Sequence, residues 1–188
     1  VTGEGLRAPF AGIGYDGDVL NDYITMKESV KNPFLKMLVT TVVGYLISML
    51  TISVPRNLFG KKARVRVTSS KDAFKMVHGD DGDYEVRIPA GTLLYEGPAP
   101  TLAVATVPYY GFKFTMFPFA ERKAGFMQLR VVAVSIPGIL SKLWPAVWNG
   151  TFRHKDLHDF LVEDAVVEGD LPLAYQVGGD ALGTRTRL

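Results

Sequence analysis

The 188 residues contain no cysteine. That removes disulfides and thiolate metal sites, and it fits a cytoplasmic protein. Charge is nearly balanced. A net charge of +2 gives no field strong enough to draw nucleic acid, so no nucleic-acid partner is expected. No internal repeat or low-complexity tract occurs, and no basic-then-apolar leader pattern is seen. The first residue is Val1 rather than Met, and the expectation is a piece of a longer protein. Hydrophobic residues make up 47% and charged residues 21% of the chain. That is enough apolar surface for one packed core, so residues 1–188 are read as a single domain.

What is present is mostly period-2 alternation. Ala63, Val65 and Val67 alternate with Arg64 and Arg66; Tyr84, Val86 and Ile88 alternate with Glu85 and Arg87. Tyr110, Phe112, Phe114 and Met116 alternate with Gly111, Lys113 and Thr115. Such alternation predicts strands with one buried face and one wet face. Pro9–Ile13, Leu93–Glu96, Thr101–Val107, Met127–Val134, Phe160–Val167 and Leu173–Val177 add further short strands. Turn residues separate them at Asp80–Asp83, Pro89–Gly91 and Gly97–Pro100. The pattern predicts a β-rich α+β domain, an antiparallel two-sheet sandwich with helices at its edge.

Two helices are expected. One starts at Asn32-Pro33, with an N-cap followed by proline at the first helical position, and ends before Pro55. It would form a helical insertion at about 32–54. The other covers roughly Pro137–Trp148, with Ile139, Leu140, Leu143, Trp144 and Val147 on one face. Met37–Val54 carries no charge, which meets the length threshold for a membrane span. Yet Lys36, Thr40, Gly44 and Ser48 recur every four residues and form a polar stripe. That stripe suits a helix buried inside a folded domain, and it also suits one packed by small residues in a membrane.

Several short motifs have plain readings. Gly12-Ile-Gly14-Tyr-Asp-Gly17 spells Gly-x-Gly-x-x-Gly, which binds a pyrophosphate only within a βαβ unit. In a chain that reads antiparallel it is a glycine-rich turn after the first strand. His154 and His158 stand four apart with no third ligand evident, so a solvated loop is the better reading than zinc. Asp80, Asp81 and Asp83 lack the spacing and distal Glu of a calcium loop and read as a hairpin turn.

The most informative segments are Thr106-Val-Pro-Tyr-Tyr-Gly-Phe112, Pro118-Phe-Ala120, Gly125 with the strand after it, and Ala174-Tyr-Gln-Val-Gly-Gly-Asp-Ala-Leu-Gly183. An apolar strand, a Tyr-Gly turn, a Pro-x-Ala step, a new strand and a last strand ending in two glycines and an acid follow in that order. From Phe10 to Gly183 the chain resembles the C-terminal half of the diacylglycerol kinase and sphingosine kinase family of lipid kinases.

The resemblance implies the lipid-side wall of a two-domain cleft. The ATP-binding N-terminal domain would lie elsewhere, because the family's Gly-Gly-Asp-Gly-Thr nucleotide loop does not occur here. The whole enzyme would use ATP and Mg²⁺ to phosphorylate a lipid hydroxyl of diacylglycerol or sphingoid type, while this part alone would carry no cofactor and no activity. It would be cytoplasmic and peripherally associated with a membrane surface. The resemblance implies catalysis by Asp180, in a turn made by Gly178 and Gly179, where the family has Asp-Gly-Glu. Gly178 replaces the first acid, and Asp180 is one methylene shorter than Glu. Asp16 or Asp18, in a Gly-aromatic-Asp turn facing the lipid cleft, would meet a lipid hydroxyl or amine as substrate-binding residues. Lys123-Ala-Gly125 stands where the family often has Asp-Asp-Gly, so no metal is expected there, and Thr106 stands where Asn is usual. Two other readings remain open: a lipid-binding module without catalysis, and a membrane-embedded structural protein resting on Met37–Val54.

Overall fold

The computed structural model describes residues 5–33, 63–110, 114–135 and 146–188, with the single positions 36, 37, 48, 51 and 55. Ten strands are described: β1 (Phe10–Gly14), β2 (Arg64–Ser69), β3 (Ala73–Gly79), β4 (Gly82–Ile88), β5 (Leu93–Pro98), β6 (Thr101–Ala105), β7 (Met127–Val132), β8 (Leu157–Val162), β9 (Ala165–Val177) and β10 (Asp180–Arg187). One helix, α1 (Tyr15–Ser29), follows β1.

Every strand pair is antiparallel. The strands expected to divide between two sheets are hydrogen-bonded in one path, β4-β3-β8-β7-β6-β1-β9-β2-β5, with β10 on β9. The joint is β9. Its thirteen residues serve two neighbours, β2 along Ala165–Gly169 and β1 along Tyr175–Val177.

The sheet curls. Val65 and Val67 of β2 share one buried cluster with Phe160 and Val162 of β8, although four strands lie between them. Tyr95 of β5 stands 5.1 Å from His158 of β8 across the same interior. Ile13, Leu102, Leu129, Val131, Tyr175 and Val177 fill the space. The other face is covered by the chain between β6 and β7. Phe117 and Ala120 pack on Ala103 and Ala105, and Phe119 packs on Met76 and Leu161.

Local sequence explains most of the strands. In β2, Val65, Val67 and Ser69 point inward while Arg64 and Arg66 stay exposed, as their alternation requires. Asp80-Asp81 makes the two-residue turn between Gly79 and Gly82, with Gly82 at φ +118°.

Several expectations need correction. Phe160–Val167 is not one strand: it breaks at Glu163-Asp164 into β8 and β9, where the Ser69 hydroxyl donates to the carbonyls of Lys71 and Asp164 (2.6 and 3.3 Å). The described part of Tyr110–Met116 forms bends rather than a strand, with one isolated bridge between Tyr109 and Thr115. The β4 face bearing Tyr84 and Val86 is exposed, because β4 ends the sheet path. The glycine-rich turn after β1 leads directly into α1, a helix that the sequence reading did not include. Residues 38–47 of the first expected helix and 137–145 of the second lie outside the described residues. The Lys36 N–H donates to the Asn32 carbonyl (2.8 Å), the bond of a first helical turn. Among the described residues no helix is long and apolar enough to cross a membrane.

Candidate functional site

Two glycines shape the corner where β9 turns into β10. Val177 and Asp180 pair across a two-residue turn, with Gly178 at φ +61° and Gly179 at φ +94°. Positive φ at both central positions is the turn whose twist matches a hairpin, and glycine adopts it without steric cost. The turn is anchored from below. The Gly178 N–H donates to the Phe10 carbonyl (2.9 Å), and the Gly179 N–H donates to Gln176 Oε1 (2.9 Å).

Gln176 is buried at 1% exposure, and its Nε2 donates to the Tyr110 hydroxyl (2.7 Å). Tyr110 in turn packs on Phe10, with ring centroids 4.5 Å apart. The Thr106 N–H donates to the Pro9 carbonyl (2.9 Å). The two segments singled out by motif, Thr106–Phe112 and Ala174–Gly183, therefore meet through one buried amide side chain. Asp180 opens β10 at this corner and is exposed.

The structure places Asp16 and Asp18 elsewhere. They lie in the first turn of α1, beyond the far end of β1. The hairpin sits against Phe10 and the helix starts after Gly14, four strand residues on. These ends are on the order of 13 Å apart at strand rise. Asp180 and the α1 acids are not brought together around one atom. The side chain of Asp16 is not among those described, and Asp18 is half-buried.

The helix start is tightly fitted. The Tyr15 N–H donates to the Pro100 carbonyl (2.7 Å). Gly14 has φ +81°, and a Cβ there would stand 2.3 Å from the Pro100 oxygen. A Cβ on Gly17 would stand 2.7 Å from the Ala174 backbone. These glycines serve close packing of helix on sheet. In this all-antiparallel sheet they belong to no βαβ unit.

Three groups on α1 were missed by sequence reasoning as a set. Tyr15, Asp18 and Asp22 are spaced for one helix face, and Asp22 is buried at 6% exposure. Burial, then the charges of Asp22 and Asp18, push the Tyr15 phenol up to about 12. The i, i+3, i+7 spacing would have shown the set had the helix been expected.

A second missed group is wholly internal. Arg130 Nε and Nη2 donate to Asp159 Oδ1 and Oδ2 (2.7 and 2.9 Å). Gln128 Nε2 donates to Asp159 Oδ1 (2.6 Å), while Gln128 Oε1 accepts from the Phe119 N–H (2.7 Å). This network ties the Pro118-Phe-Ala120 step to β7 and β8.

At the position where metal-binding acids were noted as missing, the Lys123 ammonium lies 4.1 Å from the Phe74 ring centroid and 3.8 Å from a Glu85 oxygen. His154 lies on a loop and His158 in β8 against Tyr95. Among the described residues no three His, Asp or Glu side chains stand together as a metal site would require.

No protein-family model and no curated protein matches the sequence. Solved structures do. Two crystal structures of Bacillus anthracis str. Sterne proteins, one described as a putative diacylglycerol kinase and the other as a diacylglycerol kinase, align with 96% of this chain, at 16% and 15% identity and TM-scores of 0.50 and 0.52. The alignment takes in 48% of each of those chains, so this chain spans about half of their length. The chain therefore carries a fold shared with these diacylglycerol kinases, in agreement with the resemblance read from its motifs.

Proposed function

We propose that this chain is the lipid-side half of an ATP-dependent lipid kinase acting on the hydroxyl of a diacylglycerol-like or sphingoid-like lipid. The observation that carries the reading is the shared fold over 96% of the chain. The meeting of the two motif segments at Gln176 supports it, because it holds the turn bearing Asp180 in a fixed place.

In this reading Asp180 accepts a hydrogen bond from the lipid hydroxyl. That orients the oxygen for attack on the terminal phosphorus of ATP: the hydroxyl proton passes to the Asp180 carboxylate as the new O–P bond forms, and the bond to the leaving diphosphate breaks. Catalysis of this kind rests on positioning and charge stabilisation. Asp16 or Asp18, at the other end of β1, is assigned to a second hydroxyl or amine of the lipid, away from the reacting oxygen. ATP would be held by a further domain carrying a glycine-rich phosphate loop. Mg²⁺ would be held with ATP in that further domain. Cytoplasmic location and peripheral contact with a membrane surface belong to the same proposal.

A second reading, a lipid-binding module without catalysis, is favoured by one observation: glycine at position 178. The deciding experiment is transfer of labelled phosphate from ATP to a panel of lipids by the full-length protein. Label in a lipid product that is lost in Asp180→Asn supports the kinase. Lipid binding without any labelled product supports the module.

A further inference from the structure

Strands β3 and β8 are paired only at Phe74–Leu161 and Lys75–Phe160. Beyond those residues they part, and a cleft of about 500 Å³ opens between the second half of β3 and the chain entering β8. Six basic residues line it: Lys75, His78, Arg153, His154, Lys155 and His158. These include all three histidines of the chain, and no carboxylate is among the lining residues.

The neighbouring acids are engaged or lie outside. Asp83 pairs with His78 and with Arg153 Nη2 (3.1 Å). Asp159 is held on the other side by Arg130. Asp156 lies 3.6 Å from His154 Nδ1 with half its side chain in solvent. Lys75 and Lys155 make no ion pair among the described residues.

Arg153 is fixed as a positive wall. Its Nη1 donates to the Gly150 carbonyl (2.8 Å) and its guanidinium lies 5.4 Å from the Phe119 ring centroid. Lys75 and Lys155, each an ammonium with three donors, and the His158 imidazole belong to residues lining one cleft, and together they offer a donor set for an anion with several acceptor oxygens. Burial, then the Lys75 charge, hold His158 below the ordinary histidine value, against the opposite pull of Asp156 and Asp159. It would therefore offer a neutral N–H at pH 7.

We propose that this cleft binds a phosphate group through Lys75, Lys155 and His158, carried either by a soluble phosphoester or by an anionic lipid headgroup. A cleft of this size exceeds a bare phosphate and leaves room for the group that bears it. The proposal is independent of the kinase reading, since it uses neither Asp180 nor the α1 acids.

The test is a titration of the chain with inorganic phosphate at constant ionic strength, read on the imidazole signals of His154 and His158. A parallel arm measures sedimentation with phosphatidylcholine vesicles, with and without phosphatidic acid. Saturable shifts, or binding only to the phosphatidic acid vesicles, support the site. The first outcome points to a soluble phosphoester and the second to a headgroup. Lys75→Gln with Lys155→Gln should weaken binding roughly tenfold or more, while Arg66→Gln, exposed on β2 and not among the lining residues, should leave it unchanged. Circular dichroism establishes folding, and Lys155→Gln alone serves if the double variant does not fold. No binding in either arm overturns the proposal. So does binding that survives loss of the lysines, or that falls equally in Arg66→Gln.

Discussion

Replacing Asp159 with alanine would strip the carboxylate from a guanidinium that is 6% exposed. Arg130 gives two donors to this carboxylate and Gln128 a third, all within 2.9 Å. Breaking a buried pair by removing one partner costs about 3–5 kcal/mol, because the remaining charge stays buried. The orphaned Gln128 donor adds about 1 kcal/mol. The sum, about 4–6 kcal/mol, compares with a total stability of roughly 5–15 kcal/mol for a domain. For a chain of this size each kcal/mol moves Tm by about 2–4 °C, so a fall of roughly 8–24 °C is expected. Urea unfolding followed by circular dichroism measures the free energy directly. The companion variant Arg130→Met with Asp159→Leu removes both charges and should lie within about 2 kcal/mol of the original. Hydrogen exchange at the Phe119 amide should quicken in Asp159→Ala, since Gln128 bridges the two. A loss under about 1 kcal/mol in the single variant, or a double variant no better than the single, would refute the reasoning.

In the full-length protein, Asp180→Asn should lower kcat by about 10²-fold with little change in lipid KM, while Asp180→Glu should retain activity; intact turnover in the Asn variant would reduce Asp180 to a turn residue. Gly14→Ala should cost more than about 2 kcal/mol in chemical denaturation, from a positive φ and a clash with the Pro100 oxygen. Gly179→Ala, with positive φ but nothing within 4 Å, should cost about 1 kcal/mol; equal losses would show that the clash is relieved. Tyr15 binds its proton more tightly folded than unfolded, so its contribution is complete below about pH 10 and is lost as pH rises toward about 12. Alkaline unfolding curves of Tyr15→Phe should lack that part of the decline; superimposable curves would place the burial of this phenol in doubt.

Local pattern was sufficient wherever a strand has one face in the core. Arg64–Val67 reads as β2 without reference to anything else, because a two-residue period is a property of the backbone. The hairpin at Asp80-Asp81 and the sharp turn at Gly178-Gly179 were legible for the same reason: short-range conformational preference decides them. The order of the Tyr-Gly, Pro-x-Ala and Gly-Gly-Asp segments was enough to point to the lipid-kinase fold. The same alternation misled at β4, where Tyr84 and Val86 lie at the end of the sheet path and stay exposed. It also misled at Tyr110–Met116, where Tyr110 and Met116 pack over the sheet from a loop instead of joining it.

The long-range pairings were decided by the tertiary structure alone. Arg130 meets Asp159 because β7 and β8 pair in one register, and a shift by one residue would put the two charges on opposite faces. Gln176 reaches Tyr110, and Lys75 shares a cleft with Lys155, because the sheet curls and because β3 leaves β8 after two residues. Sequence spacing carries no information on such contacts. They arise from which strands become neighbours, and that choice is made by burial of the whole core.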